Sequence, residues 1–135
     1  MSDIKHYNPD KPIDPRKWLE LDEGERNALV EKYHRMKRVK MPNLRMHTMI
    51  HVVVENQIAL GDEMPARKRL LRLMSEGLSR HDAVHAIGSV MASHLFNLMK
   101  HAPKNIDSNA EYYRQLELLT AEGWLNSSND ESQEE

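Results

Sequence analysis

Apolar residues recur along this chain at intervals of three and four, and two-residue alternation is scarce, so the pattern predicts helices and few strands. Glycine and proline fall between the periodic stretches, where they act as stops and starts. Residues 1–13 hold prolines without periodicity and are expected to form an extended N-terminal arm. Asp14-Pro15 reads as a cap followed by proline at the first helical position, opening a short helix to about residue 21. Asp22 caps the next segment, with Glu23 and Glu25 in its first turn and Leu29, Tyr33 and Met36 as its apolar stripe, until Pro42 ends it. Asn43 caps a helix over 44–60 that stops at Gly61. Asp62 caps a helix with Pro65 in its first turn, closed by Gly77.

Ser79-Arg80-His81-Asp82 has the spacing of a capping box, with Asp in the Glu position, and starts a long helix to about residue 100. A loop over 102–105 precedes a last helix over 108–122, which Gly123 ends. The expected fold is all-α: a compact bundle of four or five helices, in one helical domain over 14–125, followed by a disordered acidic tail over 126–135.

The helix over 44–60 is apolar nearly all round, which marks it as central. His47, His51 and Glu55 nevertheless stand on it at four-residue intervals, about 40° apart around the axis per step. Leu44, Val54 and Ile58 interleave on the same side. His81 and His85 repeat the spacing 34 residues later, on a face shared with Val84, Gly88, Ser89, Ala92, Leu95 and Met99. Gly88, Ser89 and Ala92 are small enough to let a neighbouring backbone approach, whereas His94 projects elsewhere. Packing of these two helices against each other is the expected centre of the fold.

Interior imidazoles must be hydrogen-bonded or metal-bound, because an unmatched buried polar group costs roughly 1–3 kcal/mol. Histidines at i,i+4 can chelate one ion, as in the HExxH motif. His47, His51, His81 and His85 are therefore the candidate metal ligands, with Glu55 as the candidate catalytic carboxylate. Glu55 and His47 lie about 12 Å apart along the axis, too far to share a single ion easily. Glu55 then ligates beside His51, joins a two-metal site, acts as base, or fixes an imidazole tautomer from outside the ligand set. Divalent zinc or iron suits such a set, and nickel and manganese are also compatible. An ion with an open position could activate water and make the protein a metal-dependent hydrolase of unknown small-molecule substrate. The alternative is a non-catalytic interaction or regulatory protein, a candidate homodimer, whose buried histidine network needs no metal.

Two weaker patterns accompany these. Glu31-x-x-His34 has the spacing of carboxylate-bridged di-iron helices, but Glu31 falls opposite the apolar stripe and reads as solvated. His81-Asp82, with His47 or His51 upstream and Asp107 downstream, resembles the ligand pattern of the all-helical HD-type metal phosphohydrolases, although Asp82 already serves the helix cap.

Composition narrows the field. The chain has 135 residues and no cysteine, which removes disulfides and thiolate sites and fits a reducing, cytoplasmic setting. No apolar run approaches the ~20 residues that span a bilayer. Net charge is −2, and the tail's four acidic residues leave the body at +2. The basic clusters (Lys32, Arg35, Lys37, Arg38, Lys40 and Arg45; Arg67, Lys68, Arg69 and Arg72) have no interleaved aromatic platform, so they read as solvated helix faces and nucleic-acid binding is not favoured. Nine methionines read as adaptable core filler.

The segment from Met46-His47 to Gln57, followed by Glu76-Gly77-Leu78-Ser79-Arg80-His81-Asp82-Ala83-Val84-His85-Ala86-Ile87-Gly88-Ser89-Val90, resembles a family of small uncharacterised bacterial proteins. Their shared segments are MHxxIHxxxExQ and HxAxHAIGxV. The resemblance covers residues 42–98 and implies a bacterial source and an α-helical fold, not an activity. Some related domains carry a glutamate one turn beyond the second histidine pair, where this chain has Ser89.

Overall fold

The computed structural model describes residues 4–37, 43–101 and 108–129, and among them the regular structure is all-helical. The elements are α1 (Pro15–Glu20), α2 (Glu23–Met36), α3 (Leu44–Ala59), a 3-10 turn (Gly61–Glu63), α4 (Ala66–Ser75), α5 (Arg80–His101), α6 (Ser108–Leu118) and α7 (Ala121–Asn129). None of these helices is long and apolar enough to cross a membrane.

Local chemistry sets most boundaries where the sequence predicts them. Asp14 accepts the backbone N–H groups of Arg16 and Lys17, and Pro15 opens α1. Asp22 and Glu25 form a reciprocal capping box, each side chain accepting the other's backbone N–H at 2.8 and 3.0 Å. Asn43 accepts the Met46 N–H, and Ser79 accepts the Asp82 N–H. Gly61 and Gly77 take φ of 66° and 112°, the left-handed region in which a Cβ is strained.

Three expectations need correction. Seven helices, not four or five, occupy the described residues. Asp62 does not cap α4: it lies in the 3-10 turn, and Met64 is extended ahead of Pro65, so the helix begins only at Ala66. The expected last helix is two. Thr120 accepts the Gly123 N–H, and the Glu76 carboxylate, 45 residues upstream, accepts the Ala121 N–H at 2.8 Å. This acceptor pair starts a new helix after Leu119, so Gly123 sits inside α7 instead of ending a helix. Helix continues through Asn129, four residues into the expected tail. Pro42, Arg38, Lys40, the loop over 102–105, Asp107 and residues 130–135 lie outside the described residues.

The central helix α3 packs against α1, α2, α4 and α5. Its apolar residues serve two cores. Val54 and Ile58 join Leu70, Leu73, Val84, Ile87, Met91, Tyr112 and Leu116 on one side. Val52 joins Tyr7, Trp18 and Val30 on the other. Close approach of α3 and α5 depends on Gly88, where a Cβ would stand 3.0 Å from the Ile50 side chain. Farther along α5, Leu95 and Met99 are exposed, so the expected contact face ends near Gly88. His94 is buried on another side of α5, its ring 5.7 Å from that of Tyr112, away from the paired histidines.

Candidate metal centre

Where α2, α3, α5 and the N-terminal arm meet, five imidazoles gather. The i,i+4 register of α3 points His47 and His51 the same way, with ring centroids 4.7 Å apart. The same register on α5 pairs His81 with His85 at 4.4 Å. Across the helix pair, His85 lies 4.7 Å from His51 and 5.1 Å from His47. All four histidines singled out from the sequence thus share one locus.

The nitrogens converge more tightly than the rings. His85 Nε2 lies 2.8 Å from His51 Nε2 and 3.1 Å from His81 Nε2. Each gap has room for one proton between two nitrogens. In a tetrahedral shell with metal–nitrogen bonds of ~2.0–2.1 Å, neighbouring nitrogens stand roughly 3.3 Å apart, so the rings need to part by only a few tenths of an ångström to embrace an ion. Two overlapping triads, His51–His81–His85 and His34–His47–His51, each have ligand atoms within 4.8 Å of one another and could hold a metal ion.

His34 is the member that the sequence reading does not single out as a ligand. It is fully buried on α2, with its ring 4.7 Å from His47 and 4.9 Å from His51. Its Nδ1 is 2.9 Å from the Val30 carbonyl oxygen, which can only accept, so Nδ1 carries the proton. The available signal was register: His34 follows Val30 by one turn on the buried side of α2. Glu31, which shares the Glu-x-x-His spacing with it, pairs with Arg35 at 2.6 Å near the surface, in line with its reading as a solvated residue. Asp82 stays with the start of α5, its backbone N–H bound to Ser79.

Glu55 is 2% exposed and turns toward Arg80 and Tyr7. Arg80 grips both its oxygens, donating to Oε1 at 2.8 Å and to Oε2 at 3.0 Å. The Tyr7 hydroxyl donates to Oε2 at 2.6 Å, and its oxygen lies 3.1 Å from His51 Nδ1. Burial, with the adjacent Glu55 carboxylate, pushes the Tyr7 phenol well above its ordinary value, so it stays protonated. Burial opposes the Arg80 charge, but its hydrogen bonds and attraction to Glu55 prevail and hold it above the ordinary arginine value.

The arm is pinned here as well. Arg80 donates to the Pro9 carbonyl at 2.9 Å, and Asp10 accepts the His81 backbone N–H at 3.1 Å. Tyr33 edges against His34 and His81 at 5.3 and 5.9 Å and closes the aromatic wall with Tyr7. Tyr7 and Arg80 escape the sequence reading because an aperiodic arm gives no facing signal and a charged residue beside a cap reads as solvated, whereas Tyr33 is read there only as part of the α2 apolar stripe.

Among the described members of the basic clusters, Arg69 is half-buried and donates to the Leu119 carbonyl, while others pair near the surface. Arg35 and Arg72 pair with Glu31 and Glu76 on their own helices, and Arg67 reaches Asp62 at 4.0 Å. Compared with known protein families, curated proteins and solved structures, the chain matches none.

Proposed function

We propose that this chain is a small metal-binding helical protein that holds one divalent transition ion among His47, His51, His81 and His85, with His34 packed behind His47 and His51. The observation that carries the reading is the meeting of three Nε2 atoms, at 2.8 and 3.1 Å, between two helices. An all-imidazole donor set suits zinc or iron. One ion is favoured over two because both triads draw on His51, which offers a single nitrogen to the cluster.

Were three imidazoles to hold the ion, a fourth position would be left for water, and the chemistry the ion would supply is activation of that water for hydrolysis; a fourth imidazole would close the site. Glu55 enters this reading as a carboxylate that acts on His51 only through the Tyr7 hydroxyl, not as the base, since Arg80 and Tyr7 occupy its oxygens. A metal-free histidine network in an interaction protein is the second reading. A 2.8 Å nitrogen pair, which also fits a shared proton, favours it.

Elemental analysis of protein purified without an affinity tag separates the two. The proposal expects near-stoichiometric zinc or iron, lost in His51→Ala and His85→Ala. It also expects a fall in melting temperature on chelation, since an ion at a hundredfold excess over Kd adds about 2.7 kcal/mol. Metal-free protein that melts identically with and without chelator overturns it.

A further inference from the structure

We infer that Tyr7 is a positioning residue: it holds His51 in the tautomer that presents a bare Nε2 lone pair to the imidazole cluster. The inference takes its purpose from the metal-binding reading and its content from hydrogen-bond geometry.

Both Glu55 oxygens are bound by Arg80, with side chains 1% and 5% exposed, so this carboxylate acts only as an acceptor. A tyrosine hydroxyl has one proton, and the 2.6 Å contact to Glu55 takes it. The phenolic oxygen then offers only lone pairs to His51 Nδ1, 3.1 Å away. A hydrogen bond in that gap requires the proton to sit on Nδ1. A neutral imidazole has a single N–H, so Nε2 is left bare. That is the atom 2.8 Å from His85 Nε2.

His34 reaches the same protonation state by bonding to a carbonyl of its own helix, a partner any helix provides. His51 instead takes its partner from a residue 44 positions away. The arm that brings Tyr7 is fastened at two further points on the site, through Pro9 to Arg80 and through Asp10 to the start of α5. These contacts run to His51, Arg80 and His81, so the arm is a working part of the centre.

The test is side-chain nitrogen NMR of metal-free protein, which reads each imidazole tautomer directly, together with zinc titration against a competing chromophoric chelator. Tyr7→Phe keeps the ring packed on Trp18 and Tyr33 and removes the hydroxyl. The expected result is an Nδ1–H tautomer for His51 in the native chain and its loss in Tyr7→Phe. Zinc affinity should fall about 10- to 100-fold. Trp18→Phe, which disturbs the same apolar cluster without touching the hydroxyl, should leave the tautomer unchanged, separating positioning from general loosening. An Nε2–H tautomer in the native chain, or the native pattern and affinity in Tyr7→Phe, overturns the inference. A native chain that binds no zinc counts against the metal reading instead, and the nitrogen spectra still decide the role of Tyr7.

Discussion

Replacing Arg80 with methionine should be among the most damaging single changes available to this protein. The guanidinium makes three hydrogen bonds, two to Glu55 at 2.8 and 3.0 Å and one to the Pro9 carbonyl at 2.9 Å. Arg80→Met strands the Glu55 carboxylate, 1% exposed, with the Tyr7 hydroxyl as its remaining described donor. Removing one partner of a buried pair costs about 3–5 kcal/mol, because the surviving charge is left without compensation. For a chain of 135 residues that corresponds to a melting temperature lower by roughly 10–20 °C.

Most of this loss is the stranded charge, not the value of the pair itself. Glu55→Leu/Arg80→Met should therefore recover at least about 2 kcal/mol relative to Arg80→Met alone, while still carrying a Tyr7 hydroxyl without its Glu55 acceptor and a Pro9 carbonyl without its Arg80 donor. Urea unfolding followed by helical circular dichroism, with chelator present so that metal linkage does not contribute, measures all three proteins. If Arg80→Met loses less than about 1 kcal/mol, or the double variant is no more stable than Arg80→Met, the reasoning from the buried pair is wrong.

Other expectations follow from single features. Gly88→Leu should cost about 1–3 kcal/mol by forcing α3 from α5 where a Cβ already stands 3.0 Å from Ile50, and should weaken zinc binding; calorimetry and chelator competition report both. Gly88→Ala gains about 1 kcal/mol of helix propensity against a smaller clash and should stay close to native. Glu76 is held below the usual carboxylate range, first by the Ala121 N–H and then by Arg72. A lowered folded value supplies stability above the unfolded carboxylate range and loses it as pH falls through the folded value. Glu76→Gln should thus be less stable than native at pH 7, and denaturant midpoints should show the gap closing on acidification below pH ~4. Gly77→Ala should destabilise by about 1 kcal/mol or more, visible in thermal melts, because φ is 112° there.

What could be read in advance was local. Asp14, Asp22, Asn43 and Ser79 cap helices with their own side chains within three residues, so their roles are written in adjacent positions. The facing of His47 with His51, and of His81 with His85, needs only helical geometry. Failures begin where a partner lies far along the chain. Glu76 starts α7 from 45 residues away, and no periodicity announces it. Arg80 looks like a solvated residue beside a cap until Glu55 arrives from α3, 25 positions upstream. Tyr7 sits in a segment without pattern, and its role depends on how that arm folds back over α3 and α5. His34 shares the buried register of Val30, but α2 is polar enough overall that this face is faint.

X-ray absorption at the zinc edge, on protein loaded with one equivalent of zinc, tests the central claim most directly. Convergent imidazoles predict a shell of three or four nitrogens at ~2.0–2.1 Å with the outer-ring scattering of histidine. A shell dominated by oxygen, with no more than one imidazole, would contradict it.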